Sequence, residues 1–262
     1  MKLSASNIGW IDAQDEYVYS LLSENGYSGL EIAPTRIFPD SPYSQIDSAA
    51  KWAADLKKTN GFTVPSMQSI WFGRSEKIFG SSEERRTLVD YTKKAIDFAA
   101  AIGCGNLVFG CPRNRSFDEG TDLQTGVEFF REIGDYAAAN GTIVGMEANP
   151  PIYNTNYIND TASALELVQQ VASDGFKLNL DIGTMIHNDE SIDILKGKVN
   201  LISHVHISEP GLAPIEKRDL HIQLRDFLKS EGYDRYVSIE MGKRDDTTAI
   251  ENAIMYVKEI FG

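Results

Sequence analysis

The run His204-Val205-His206-Ile207-Ser208-Glu209-Pro210 carries two of the chain's four histidines, two residues apart. On a strand that spacing puts both imidazoles on one face and Val205 and Ile207 on the other. Three further segments repeat the arrangement. In residues 142–147, Ile143, Gly145 and Glu147 oppose Val144 and Met146. In 177–181, Asn179 and Asp181 oppose Leu178 and Leu180; in 237–241, Ser238 and Glu240 oppose Val237, Ile239 and Met241. Any one of these reads as a satisfied polar residue at a strand end. Four in one register read as a site, because inward charges need a partner.

Three carboxylates brought together repel and take up protons unless a cation neutralises them. One imidazole with three carboxylates is a hard, oxygen-rich donor set that leaves positions open for substrate oxygens. It suits one divalent metal ion, Mn²⁺, Mg²⁺, Co²⁺ or Zn²⁺, held by Glu147, Asp181, His206 and Glu240. His204 lies one layer deeper, where it orients a carboxylate or fills the interior as a neutral ring. Glu209 opens a lid loop over residues 211–219.

The elements that must deliver these side chains alternate. Strand-like runs cover residues 3–8, 29–33, 63–70, 106–110, 142–147, 177–181, 201–207 and 237–241. Helical periodicity covers 13–25, 44–59, 82–101, 121–140, 161–173, 191–195, 217–230 and 247–261. Helices run into glycine turns at Asn25-Gly26, Asn60-Gly61, Ile102-Gly103, Asn140-Gly141, Asp174-Gly175 and Glu231-Gly232. Eight strand–helix alternations without a linker predict an α/β fold, a (β/α)8 TIM barrel, as a single domain over residues 1–262. An open doubly wound sheet is the competing architecture, but no Gly-X-Gly-X-X-Gly follows the first strand. In a barrel the carboxyl ends of the strands form the active face, where Glu147, Asp181, His206 and Glu240 would converge.

The net charge of −13 and pI of about 4.8 argue against a nucleic-acid partner, which demands a positive surface. No stretch is apolar enough to cross a bilayer, and the amino-terminal residues lack a signal-peptide pattern. Cys104 and Cys111 are the only cysteines, which suggests a reducing compartment. A cytoplasmic protein is expected, with a small-molecule substrate and an oligomeric state, homo-oligomer included, left open.

With these strands in hand, the chain resembles the xylose-isomerase-like TIM-barrel superfamily of sugar phosphate isomerases and epimerases. The resemblance runs through Gly29-Leu30-Glu31-Ile32-Ala33-Pro34, Gly145-Met146-Glu147-Ala148-Asn149-Pro150, Leu178-Asn179-Leu180-Asp181-Ile182-Gly183-Thr184, the His204–Pro210 run and residues 232–241. It implies one divalent metal on Glu147, Asp181, His206 and Glu240, with Glu147 and Glu240 also catalytic as acid and base on opposite faces of a ketose. The metal would acidify the C–H between carbonyl and hydroxyl, and the proton would leave and return through a metal-stabilised enediolate. A dehydratase acting on a sugar or inosose could use the same site by expelling a β-hydroxyl. A three-zinc DNA-repair endonuclease, also in the superfamily, fits poorly with four histidines and an acidic chain; a sugar-binding barrel without chemistry fits poorly with two intact glutamates.

Two positions depart from the ketose 3-epimerase pattern. Thr184 stands where a histidine is usual, three after the metal-binding aspartate, and Leu212 where an arginine is usual. Both normally contact substrate, so a different substrate is implied, with His187 as a partial replacement. Other candidate substrate contacts are Asn149, in phase with Glu147; Gln68, after the third strand; Glu31, where relatives carry an acid that supports the site; His221; and Arg113. Arg113 and Arg115, like Lys243 and Arg244, read as a solvated rim that could take an anionic group. Trp10 and Trp71 read as packing or as sugar walls, and residues 153–157 as a second lid.

Overall fold

The computed structural model describes residues 1–262. Seven parallel strands, β1 (Lys2–Ser6), β2 (Gly29–Glu31), β3 (Asn106–Phe109), β4 (Ile143–Met146), β5 (Phe176–Asp181), β6 (Ile202–Ile207) and β7 (Tyr236–Ile239), are ordered β2-β1-β7-β6-β5-β4-β3. The strand expected over residues 63–70 is not a regular strand. Its segment instead closes the gap between β2 and β3 through single bridges, Thr63 to Gly29 and Met67 to both Ile32 and Leu107. Pro65 explains the difference: it has no N–H to give to a ladder, so pairing breaks in mid-segment. The neighbouring amides still connect the ring. Leu30 N donates to Thr63 O at 2.9 Å, Gln68 N to Ile32 O at 2.8 Å and Val108 N to Met67 O at 2.8 Å.

Helices α1 (Asp15–Glu24), α2 (Pro34–Ile37), α3 (Ile46–Asn60), α4 (Ser82–Ala101), α5 (Gln124–Ala139), α6 (Thr161–Val171), α7 (Ile182–His187), α8 (Asp219–Ser230) and α9 (Thr248–Phe261) cover the outside. Two of them, α2 and α7, are single short turns after β2 and β5 that hydrophobic periodicity is too coarse to show. The helix expected at 191–195 is a 3-10 turn, Ile192–Leu195. The long α4 begins with a reciprocal cap, Glu84 N donating to Ser81 Oγ at 3.1 Å and Ser81 N to Glu84 Oε2 at 2.8 Å.

Most of the glycine turns have the positive φ expected of helix ends; Gly175 does not. The helix before it closes on Ala172, at φ 51°. Gly175 is there for space: a Cβ would lie 2.1 Å from Gly134 O and 2.5 Å from Ala138 N, so β5 could not seat against α5.

The predicted strand phases hold. Leu178, Leu180, Val205, Ile207, Val237 and Ile239 are buried toward the helices, within a cluster of 64 buried hydrophobic residues. The opposite faces carry small and polar groups, and Asp181 pairs with His206 in register, as Asn179 does with His204. This sets the site residues at one height. No helix is long and apolar enough to cross a membrane.

Candidate functional site

Glu147 follows β4, Asp181 ends β5, His206 lies in β6 and Glu240 follows β7. One ligand atom from each lies within 4.8 Å of all the others. The imidazole is central: His206 Nδ1 is 3.2 Å from Glu147 Oε2 and 3.2 Å from Glu240 Oε2. Its other nitrogen, Nε2, is 3.0 Å from Glu31 Oε2 on the far side. With Nε2–H donating to Glu31, the Nδ1 lone pair faces the carboxylates, the tautomer a metal ligand needs. His204 Nε2 is also 3.0 Å from Glu31 Oε2, without hydrogen-bond alignment. Glu31, His204 and His206 form a second close group, wholly buried, that anchors the ring from below.

Asp181 serves two structural purposes besides. It caps α7, its Oδ1 accepting from Thr184 N at 2.6 Å, and its Oδ2 accepts from Ser208 Oγ. Thr184 is buried and its hydroxyl donates to Ala148 O at 2.8 Å, so the usual histidine of this position has no equivalent here.

The charge balance of this cluster asks for a cation. Burial, with Glu147 as the next cause, raises the Asp181 carboxyl to about 6. Burial, against the favourable His206 contact and with Glu147 and Asp181 adding to it, raises Glu240 to about 7. Burial also disfavours a charged His206, but the carboxylates of Glu240 and Glu31 and hydrogen bonds to Glu147 and Glu240 outweigh it and hold its pKa well above the ordinary value. Burial of Glu31 is likewise outweighed, by His206 and His204, and its carboxyl sits well below the usual range. Without another cation the site therefore gathers protons. Four converging hard donors whose repulsion is relieved only by positive charge fit one divalent ion.

A cavity of about 580 Å³ opens above them, lined by Glu147, Asp181 and Glu240 together with Gln68, Trp71, Phe72, Arg113, Asn149, Tyr153 and Leu212. That is ample for a small ligand. Among the expected substrate contacts, Gln68, Asn149 and Arg113 line it; Glu31, His187 and His221 do not. Glu31 lies beneath the ring of His206, bonded to Gln68 Nε2 at 3.0 Å. His187 ends α7 and is exposed away from the cavity. His221 is fully buried, its Nδ1 3.0 Å from Tyr256 Oη, so it packs α8 against α9. Trp10 is buried too, its Nε1 donating to Asp15 Oδ1 at 2.7 Å. Arg115, expected at a solvated rim, is completely buried.

The two lid segments meet. Gly211 N donates to Tyr153 Oη at 2.9 Å, and Arg218 Nε to Glu209 Oε1 at 2.8 Å, which pins the base of the loop. Phe72 and Tyr153 are wall residues that periodicity does not single out, since both lie on turns beyond strand ends.

Burial pulls the His221 pKa down to about 4, so the folded protein keeps this ring neutral while the unfolded chain protonates it. Stability attached to it is therefore full above about pH 6.5 and falls as pH drops toward 4, by on the order of 3 kcal/mol. His221→Gln should flatten this acid limb in urea unfolding measured between pH 4 and 7; an unchanged slope would assign the acid lability elsewhere.

No curated protein sequence gives a significant match to the chain. Among solved structures, it is similar to D-psicose 3-epimerase with D-tagatose from Clostridium cellulolyticum H10, with a TM-score of 0.79 at 18% identity, covering 100% of this chain and 99% of that one. It is similar to 3-keto-D-glucoside 4-epimerase, YcjR, from E. coli, with a TM-score of 0.75 at 19% identity and 99% of each chain covered. It is also similar to the IOLI protein with a bound zinc atom, with a TM-score of 0.70 at 18% identity, covering 99% of this chain and 96% of that one. The family model described as a xylose isomerase-like TIM barrel matches residues 19–260. With that match spanning nearly the whole chain, and the barrel and its parallel register in place, the chain belongs to the xylose isomerase-like TIM-barrel family.

Proposed function

We propose that the chain is a divalent-metal-dependent isomerase or epimerase acting on a ketose or related sugar. The observation that carries this reading is the placement of Glu147 and Glu240, whose Oε2 atoms each lie 3.2 Å from His206 Nδ1 and which both line the cavity. Glu147, Asp181, His206 and Glu240 would hold the ion. When bound it supplies a Lewis acid and a template for adjacent carbonyl and hydroxyl oxygens. One glutamate removes the proton from the carbon between them, and the other returns a proton from the opposite face, through an enediolate. Such work needs a carboxyl with proton affinity near neutrality, and burial raises that of Glu240 to about 7. Gln68, Asn149 and Arg113 are positioned to bind other hydroxyls or an anionic group. The neighbours that are sugar epimerases support the class; the metal in a third neighbour supports the cofactor.

A dehydratase is the second reading, because Thr184 is turned into the protein and Leu212 lines the cavity where polar contacts are usual. An enediolate held there could also expel a β-hydroxyl. Incubation of Mn²⁺-loaded protein with a panel of keto-sugars in D₂O distinguishes the two. Deuterium in an isomeric sugar is expected. An unsaturated or dicarbonyl product would favour the lyase, and absence of exchange or product across the panel would count against both.

A further inference from the structure

We infer that Arg115 is a positioning residue for Glu147, acting through the side chain of Asn149; the inference rests on the role proposed for Glu147 above. Arg115 follows β3 and is fully buried, yet it takes part in none of the ion pairs of the chain. Its Nε has no partner at all. A buried cation without a carboxylate is costly to the fold, so its presence calls for a compensating role.

The hydrogen bonds supply one. Arg115 Nη2 donates to Asn149 Oδ1 at 2.7 Å, and Asn149 Nδ2 donates to Glu147 Oε1 at 2.9 Å. The guanidinium has only donors, so it fixes the amide with its oxygen toward Arg115 and its NH₂ toward the glutamate. The reversed amide would set NH₂ against guanidinium and carbonyl against carboxylate. Asn179 Nδ2 meanwhile donates to Glu147 Oε2 at 3.1 Å, the oxygen that faces His206. The carboxylate is thus gripped at both oxygens, and its Oε1 grip is set by a cation outside the cavity lining.

The backbone makes room for this arrangement at Gly110. A Cβ there would come within 2.9 Å of Glu147 Oε1 and 3.4 Å of Asn149 Oδ1. Burial lowers the Arg115 pKa only to about 10, so the guanidinium remains charged at neutral pH and remains a donor to Asn149.

The test uses the whole chain, stripped of metal and titrated with Mn²⁺ alone. Arg115→Met is expected to bind Mn²⁺ about tenfold more weakly, the usual scale for a partner of a metal ligand. Its metal-free stability should be unchanged or higher, because an unpaired buried charge has been replaced by an apolar chain. Asn149→Ala should weaken Mn²⁺ binding similarly, and the double variant should be no weaker than the weaker single one, since both act along one chain of bonds. Arg115→Leu, measured alongside in case the Met variant does not fold, carries the same expectation. Lower metal-free stability with wild-type Mn²⁺ affinity would overturn the inference in favour of a packing role. So would additive losses in the double variant, or tighter Mn²⁺ binding, which is what simple removal of a nearby positive charge gives. Glu147→Gln separates the two levels. If it leaves Mn²⁺ affinity unchanged, the metal site itself is misassigned; if it weakens binding and Arg115→Met does not, only the positioning role fails.

Discussion

Glu147→Gln and Glu240→Gln are each expected to slow deuterium exchange into a keto-sugar by roughly 10²–10⁴-fold at saturating Mn²⁺, the usual scale for a positioned acid or base. Saturation with metal matters, because both substitutions also weaken the ion's hold, and a loss that persists there belongs to proton transfer. The two variants should differ in stability. Glu147 accepts from Asn149 Nδ2 at one oxygen and from Asn179 Nδ2 at the other. Whichever way a glutamine lies, its NH₂ meets a donor, a buried mismatch worth about 1–3 kcal/mol. Glu240 has no amide donor of that kind, and burial already pushes its carboxyl toward the neutral form. Its glutamine variant should therefore be as stable as the metal-free parent above pH 7, or more so. Exchange within threefold of the parent in either variant would remove that residue from the acid–base pair.

The contrast between those two glutamates shows what the sequence makes legible. Strand phase alone puts Glu147, Asp181, His206 and Glu240 on inward faces near carboxyl ends, because alternation along a strand is a local property. The parallel barrel then brings them together, as their distances show. What strand phase leaves out depends on contacts between distant segments. Arg115 looks like a rim residue in sequence, but Asn114 Nδ2 donates to Arg74 O at 3.2 Å and to Glu76 O at 2.8 Å, folding the loop inward and taking Arg115 with it. His221 has the periodicity of a packing residue, and only the proximity of the lid loop in sequence made it a substrate candidate; Tyr256, from a helix later in the chain, claims its ring. The broken third strand is a local effect of Pro65, set in a segment of mixed apolar and polar residues that otherwise reads as a strand. Glu31 is a middle case: its inward phase is legible, but its task, bonding the far nitrogen of His206, appears only once the ring is closed.

Removal of divalent metal should abolish exchange, and its return should raise the melting temperature by an amount that grows with pH. At Mn²⁺ a hundredfold above its dissociation constant, binding stabilises the fold by about 2.7 kcal/mol, and for a chain of this size each kcal/mol moves the midpoint by roughly 2–4 °C. The pH dependence follows from the groups that must give up protons. Asp181 and Glu240 are raised to about 6 and about 7 in the metal-free fold, and His206 lies well above its ordinary value. Raised groups bind more protons when folded than unfolded, so their contribution to metal-free stability is full at low pH and is lost as pH rises through neutrality. The same protons compete with the metal, which needs ionised carboxylates and a free Nδ1. Raising the pH from 5 to 8 at a fixed Mn²⁺ concentration therefore strengthens Mn²⁺ binding, and that alone enlarges the difference between metal-loaded and metal-free melting curves. Calorimetric titration in buffers of different ionisation enthalpy should register net proton release on binding at pH 6.5. A thermal increment that is flat or shrinks between pH 5 and 8 would place the ion on donors other than Asp181, His206 and Glu240.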